Sequence, residues 1–280
     1  MRVIKSPRQL TQILGRRRKT AKRIGFVPTM GYLHEGHLSL IRRARKENDI
    51  VVASIFVNPT QFGPREDFKR YPRNLKRDRS LLKRTRVNYL FIPSTESIYP
   101  KGFRDFIDPG PIARYLCGPK RPGHFRGVTT VVKRLFEIVR PDAAYFGAKD
   151  YQQAKIIEDM VRRFRLPIRI KICPTVREKD GLAMSSRNSY LSKKNRISAP
   201  AIYRSLVLAR KLIRLGELSA EKVKKAVRKT LISHVDRIDY IEIVDPKTCA
   251  PLRRIKSSVV VAIACYLGST RLIDNLLIKR

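Results

Sequence analysis

Acidic side chains are scarce in this 280-residue chain: 23 Asp and Glu stand against 62 Lys and Arg, a formal charge of +39. Long apolar runs are missing too. A bilayer-spanning helix needs about 18–20 consecutive apolar residues, whereas the run at residues 259–267 is nine residues long and reads as a buried strand. The amino-terminal MRVIKSPRQL puts Pro and polar residues where a secretory signal carries its apolar region, so export is not expected. Cysteine is limited to Cys117, Cys173, Cys249 and Cys265, with no C-x-x-C pair. That pattern fits neither a disulfide scaffold nor a zinc module, and reads as reduced, mostly buried thiols in a cytoplasmic protein. Histidine occurs four times, with no H-E-x-x-H spacing, and neither repeats nor low-complexity tracts appear.

What is present argues for a folded chain. Hydrophobic residues make up 42% of the sequence, which excludes intrinsic disorder despite the charge. The length suggests about two domains at roughly 100–200 residues each. The basic residues are dispersed from Arg2 to Arg280, with few runs such as 16–19, and several fall on outward helix faces, for example Arg42, Arg43, Arg45 and Lys46. Dispersal favours a solvated basic surface over a dedicated nucleic-acid site; non-specific association with polyanions at low salt is expected from charge alone.

Residues 24–29 form a short apolar run, and Leu38, Leu40, Ile41 and Ala44 follow at helical spacing: strand, loop, helix. Residues 50–57, IVVASIFV, read as a strand buried on both faces of a parallel sheet. A helix over 75–87, a strand over 89–92, a helical stripe over 128–139, a strand over 143–146 and a helix over 151–164 continue the alternation, which implies βαβ units with ligand crevices at the carboxyl ends of the strands. After a strand at 168–172 the pattern changes. A polar stretch at 174–187 leads into helices near 199–215 and 220–234 and strands at 238–244 and 258–265, suggesting a smaller α+β domain. The expected boundary separates residues 1–174 from 175–280.

Five clusters carry chemistry. The first strand runs into Met30, Gly31, Tyr32, Leu33, His34, Glu35, Gly36 and His37, with a helix following. Two histidines three apart at a helix N-terminus can face one anion together with the free backbone N–H groups, phosphate being the obvious guest. A metal site and purely structural histidines remain open. The second strand ends in Asn58, Pro59, Thr60, Gln61, Phe62 and Gly63, whose amides suit a small polar substrate, or simply build a turn. Arg121, Gly123, His124, Arg126 and Gly127 read as a flexible basic loop able to approach an anion, or as chance in so basic a chain. Gly147, Ala148, Lys149, Asp150, Tyr151, Gln152 and Gln153 sit at another strand end; Lys149 suits phosphate, and Asp150 either a ribose hydroxyl or a helix cap. Val176 and then Met184, Ser185, Ser186, Arg187 and Asn188 read as a mobile loop closing over phosphates, or as a plain linker.

Taken in order, PTMGYLHEGH, FVNPTQFG, YPR at 71–73, RPGHFRGV, YFGAKDYQQ, PTVREKDGLAMSSRNSYLS and TRLIDN at 270–275 resemble the pantoate–β-alanine ligase family nearly end to end. The resemblance implies a Rossmann-like, nucleotidylyltransferase-type parallel-sheet domain binding ATP and pantoate, with a smaller α+β carboxy-terminal lid domain. It also implies a two-step reaction, in which the carboxylate of pantoate attacks the α-phosphorus of ATP to give pantoyl adenylate and diphosphate, and the amine of β-alanine then displaces AMP. By the same resemblance His37 is the proton donor with His34 beside it, residues 30–37 form the first ATP loop, Gln61 and Gln153 hold pantoate, Gly147, Ala148, Lys149 and Asp150 meet adenosine and phosphate, Val176 meets adenine, and Met184, Ser185, Ser186 and Arg187 form the KMSKS-type loop. Mg2+ bridging the phosphates is implied, with Asp78 an outer-shell candidate, as is a homodimer. Two other readings are a nucleotidyltransferase that stops at an adenylylated product, and a basic nucleic-acid-binding protein with a lapsed active site. Nothing in the implied chemistry requires a charge of +39.

Overall fold

The alternation of β-branched runs with amphipathic stripes is realised in a computed structural model that describes residues 1–18, 20–64 and 66–279; Lys19, the last of the basic run 16–19, Arg65 and Arg280 lie outside the described residues. In chain order the elements are β1 (Arg2–Ile4), α1 (Pro7–Arg18), β2 (Ile24–Thr29), α2 (Glu35–Glu47), β3 (Ile50–Ile55), α3 (Leu75–Arg84), β4 (Tyr89–Phe91), α4 (Thr95–Ile98), α5 (Cys117–Lys120), α6 (His124–Val139), β5 (Ala143–Gly147), α7 (Tyr151–Arg163), β6 (Arg169–Cys173), α8 (Lys193–Ser198), α9 (Ala201–Arg214), α10 (Ala220–Leu231), β7 (Arg237–Val244), β8 (Val259–Leu267) and β9 (Thr270–Ile278). They fall into two compact units: Met1–Gly110, Arg121–Ala148 and Ile156–Pro174 form one; Pro111–Lys120, Lys149–Lys155 and Thr175–Arg280 form the other.

In the first unit, the described residues form a six-stranded sheet in the order β1-β4-β3-β2-β5-β6, every pair parallel. Alternate side chains face opposite ways along a strand. Val27, Val51, Ala53, Leu90 and Tyr145 accordingly share one face with Leu38, Ile41 and Ala44 of α2 and Leu82 of α3. On the opposite face Phe136 of α6 meets Phe26 and Phe146 edge-on, with ring centroids 6.3 and 6.5 Å apart. Cover on both faces explains why β3 is an unbroken apolar run. Strand order reverses at β2, which has β3 and β4 to one side and β5 and β6 to the other. Such a switch opens a crevice beyond the carboxyl ends of the strands, here Thr29 of β2 and Gly147 of β5.

Neither β1 nor α1 is signalled by the sequence pattern, the strand being three residues long and the helix ending in three arginines. Strand β3 stops at Ile55, two residues short of its apolar run, because Asn58 then caps a 3-10 turn over Pro59–Gln61 and draws the chain out of the ladder.

Tyr145 is fully buried; its hydroxyl donates to Glu47 Oε2 at 2.8 Å and accepts from Asn48 Nδ2 at 2.7 Å. Burial first, and then the Glu47 carboxylate, push the phenol from its ordinary value of 10.0 up to about 12. A folded-state value above the unfolded one stabilises fully below pH 10, and that stability is lost as pH rises towards 12. Alkaline titration of the melting temperature should therefore fall more steeply between pH 10 and 12 in the wild type than in Tyr145→Phe; parallel curves would refute the assignment.

In the second unit, β7-β8-β9 form an antiparallel sheet. Val259, Val261, Ile263, Cys265 and Leu267, alternate residues of β8, pack on Ile202, Leu206, Ala209 and Ile213 of α9 and Val223, Val227 and Leu231 of α10. The sequence pattern misses β9 because Arg271, Asp274 and Asn275 interrupt its apolar alternation. Burial pushes the thiols of Cys249 and Cys265 up to about 12, so both remain protonated at neutral pH.

Candidate active site

After β2 the chain turns through two successive left-handed residues, Gly31 (φ 84°) and Tyr32 (φ 50°). The left-handed region is costly for a side chain such as tyrosine, by about 1 kcal/mol or more. Asp78, in the first turn of α3, holds the turn in place. Its carboxylate is buried, with one oxygen accepting from the Tyr32 N–H and the other from the Leu33 N–H, both at 2.8 Å. Arg77 donates to the Leu33 carbonyl at 2.7 Å. Asp78 thus shapes the loop, each of its oxygens accepting from one backbone amide.

The loop delivers His34 to the N-cap of α2 and His37 to its first turn. The imidazoles meet as a tilted pair, with centroids 4.0 Å apart and planes inclined by 40°. The His34 N–H donates to His37 Nδ1 at 3.3 Å. An imidazole that accepts at Nδ1 carries its proton on Nε2, so His37 is set as a donor at a helix N-terminus whose dipole already favours an anion.

Gln61 ends the 3-10 turn after β3. Its side-chain NH2 lies 3.0 Å from Met30 Sδ, which joins the first and second sequence clusters. Asn58 is buried and satisfied within the protein: its amide donates to Gln61 Oε1 at 3.2 Å and to the Gly127 carbonyl at 3.1 Å, and its carbonyl accepts from Tyr99 Oη at 2.8 Å. It is scaffold, leaving Gln61 as the substrate-facing candidate of the pair. The 121–127 cluster, expected as a flexible basic loop, is braced instead. Arg121 bonds Glu66 through Nε at 2.7 Å and Nη2 at 2.5 Å, and its Nη1 lies 2.9 Å from His124 Nε2. Burial would raise Glu66, but Arg121 more than offsets it and holds the carboxyl below its usual range.

In the second unit, Lys149 Nζ lies 3.6 Å from Asp150 Oδ1, and Lys149 shares a cavity lining with Ser185, Asn188 and Asp274. Gln152 is buried and spent on backbone: its side chain accepts from Cys117 N–H and donates to the Ile112 and Tyr115 carbonyls. Gln153, the partner that the resemblance selects, is only half-buried.

The 176–187 stretch is a pinned hairpin rather than a slack linker. Arg177 bridges Ala183, Met184 N–H donates to the Val176 carbonyl at 3.0 Å, and Ser185 Oγ accepts from Arg187 N–H at 3.2 Å. Arg196 pairs with both Glu178 and Asp180. Asp274 grips Arg177 through two bonds of 2.6 and 3.0 Å, and Asn275 donates to the Lys149 carbonyl at 2.8 Å. Burial outweighs the Arg177 contact and raises the Asp274 carboxyl. Arg177, Asp274 and Asn275 are supports that the sequence pattern does not single out, and Asp78, named there only as an outer-shell candidate, is a support of the loop. For Asp274 and Asn275 the available signal was polar residues inside an otherwise apolar strand, where burial without partners is costly.

A parallel sheet whose strand order reverses at β2, with a histidine pair on a helix N-terminus beside that switch, defines an α/β enzyme of the nucleotide-handling class. The family model described as pantoate-beta-alanine ligase matches residues 2–277. The pantothenate synthetase of Thermosipho melanesiensis is 52% identical over 278 residues, 99% of each chain, and that of Pseudothermotoga lettingae is 54% identical over 276 residues, 98% of each. The crystal structure of pantothenate synthetase from Thermus thermophilus superposes with a TM-score of 0.95 at 46% identity, covering 100% of both chains. That of the Francisella tularensis pantoate-beta-alanine ligase, complexed with beta-gamma ATP and beta-alanine, gives 0.80 at 38% identity, covering 99% of this chain and 97% of that one. The chain belongs to the pantoate–β-alanine ligase family.

Proposed function

We propose that this chain condenses pantoate with β-alanine at the expense of ATP, giving pantothenate, AMP and diphosphate through a pantoyl adenylate. The observation that carries the reading is the tilted His34–His37 pair at the N-terminus of α2, in a chain that matches the ligase family from residue 2 to 277. A carboxylate and an ammonium ion merely pair, whereas an acyl phosphate carries a good leaving group. Activation therefore precedes amide formation, and catalysis rests on alignment and on charge stabilisation at phosphorus. His37 donates from Nε2 to phosphate oxygen as negative charge develops, with His34 and the backbone N–H groups of α2 beside it. Met30, Gly31, Tyr32, Leu33, Glu35 and Gly36 complete that loop. Lys149 and Arg187 supply point charges to the phosphates, with Gly147, Ala148, Asp150, Met184, Ser185 and Ser186 framing the nucleotide and Val176 meeting adenine. Gln61 and Gln153 orient pantoate by neutral hydrogen bonds.

Magnesium enters with the nucleotide. The protein's residues do not make a built site for it, since no group of three or more His, Cys, Asp or Glu is placed to hold a metal among the described residues and Asp78 is engaged by backbone. No step is assigned to the ion. The carboxy-terminal residues 175–280 act as a lid domain and the enzyme works as a cytoplasmic homodimer. No helix among the described residues is long and apolar enough to cross a membrane. With a charge of +39, nucleic acids are held only non-specifically.

The deciding measurement is a coupled AMP assay with each substrate omitted in turn. AMP formation should require ATP, pantoate and β-alanine together, with diphosphate released from ATP and pantoate alone. Absence of that release overturns the reading. Release without any use of the amine would mark an adenylylating enzyme instead.

A further inference from the structure

His124 lies in the basic stretch that the sequence offers as an anion site, yet its surroundings give it another task. The ring is buried, and both nitrogens are engaged: Nε2 lies 2.9 Å from Arg121 Nη1, and Nδ1 lies 2.8 Å from the Gln61 carbonyl oxygen. A guanidinium can only donate, so Nε2 must accept. A neutral imidazole that accepts at Nε2 carries its proton on Nδ1, and a carbonyl can only accept, so that proton is donated to Gln61. The chain Glu66–Arg121–His124–Gln61 therefore has one consistent set of donors and acceptors, and it fixes the histidine as neutral. Protonating Nε2 would set a second cation against Arg121. A group held in this state is a poor anion ligand and a good strut.

The strut ends on a residue whose placement matters. The Gln61 carbonyl is fixed by His124, its side-chain oxygen by Asn58, and the turn before it lies against the backbone of α6 at Gly127. What remains directional is the side-chain NH2, near Met30. We propose that His124 is a positioning residue for substrate recognition: as a neutral imidazole it locks the Gln61 backbone so that the Gln61 amide meets the hydroxy acid in one orientation. The inference rests on the reading that Gln61 binds pantoate.

The test is steady-state kinetics with pantoate varied at saturating ATP and β-alanine, with melting temperature recorded for every variant. His124→Ala should raise KM for pantoate by about tenfold, because small misplacements of a binding group are heavily penalised. His124→Asn keeps an N–H donor near the Nδ1 position and should recover most of that loss. Arg121→Gln weakens the same strut from its far end and should give a smaller rise, which serves if His124→Ala fails to fold. In a Gln61→Ala background, His124→Ala should add less than a further twofold. A purely structural histidine would lower the melting temperature and the active fraction without moving KM for pantoate. An unchanged KM in His124→Ala and Arg121→Gln, or the same tenfold rise with and without Gln61, overturns the inference. Gln61→Ala leaving KM unchanged would show that the pantoate assignment itself is at fault, and would overturn the inference with it.

Discussion

Replacing His37 with alanine is expected to slow pantoyl-adenylate formation by about 100-fold or more, measured as diphosphate release from ATP and pantoate. The loss would come from chemistry, not folding. His37 is half-exposed in the first turn of α2, and its Nδ1 accepts from the His34 backbone N–H, which leaves the ring proton on Nε2. Deletion removes a charge-stabilising donor where the α2 dipole and backbone amides remain, so residual activity should survive. His37→Gln, which can both accept from His34 and donate outward, should recover part of the rate. Lys149→Ala is expected to lose a comparable factor. Its ammonium has Asp150 for company at 3.6 Å and its carbonyl is anchored by Asn275, so the backbone stays in place when the charge is removed. Near-normal adenylation in both variants would show that the charge-bearing roles are misassigned.

Gly127→Ala is expected to damage stability and substrate binding together. Judged as a helix residue, the change should stabilise α6 by about 1 kcal/mol. The packing reverses that sign. A Cβ on residue 127 would lie 2.3 Å from the Thr60 carbonyl oxygen, 2.5 Å from its carbon and 2.7 Å from Gln61 Cα. All three are backbone atoms, so no rotamer change relieves the overlap, and either α6 or the 59–61 turn must shift. Overpacking of this kind costs about 3 kcal/mol, which leaves a net loss of about 2 kcal/mol after the propensity gain. The melting temperature should fall and KM for pantoate should rise. A more stable variant with unchanged pantoate kinetics would mean that α6 and the 59–61 turn do not pack backbone to backbone at Gly127.

Much of the machinery was legible in the residues. The period of the apolar positions marked β2, α2, β3 and α6, because burial on one or two faces leaves a local imprint. That His34 and His37 meet at a helix N-terminus was readable because their spacing and the following helix are adjacent in sequence. The polar residues around them were harder to sort. Asn58 and Gln61 are three positions apart, chemically alike and both buried, yet Asn58 spends its amide on the Gly127 carbonyl as well as on Gln61, whereas the Gln61 NH2 has, among the described residues, only Met30 Sδ beside it. Of Gln152 and Gln153, the first is buried and bonded to backbone and the second half-buried. The scarce acids proved to be spent largely on supports: Asp78 on backbone amides, Glu66 on Arg121, Asp274 on Arg177 and Asp239 on Arg271.

By itself the sequence determined the alternation of strands and helices from β2 to β8, the family and the chemical kinds of group available to bind phosphate, since each of these depends on residues close together along the chain. Only the tertiary structure decided which polar groups are held back as struts. Asp78 reaches Tyr32 across 46 positions, His124 reaches Gln61 across 63, Arg177 reaches Asp274 across 97 and Asn275 reaches Lys149 across 126. A hydrogen bond forms between neighbours in space, and folding alone makes such distant residues neighbours.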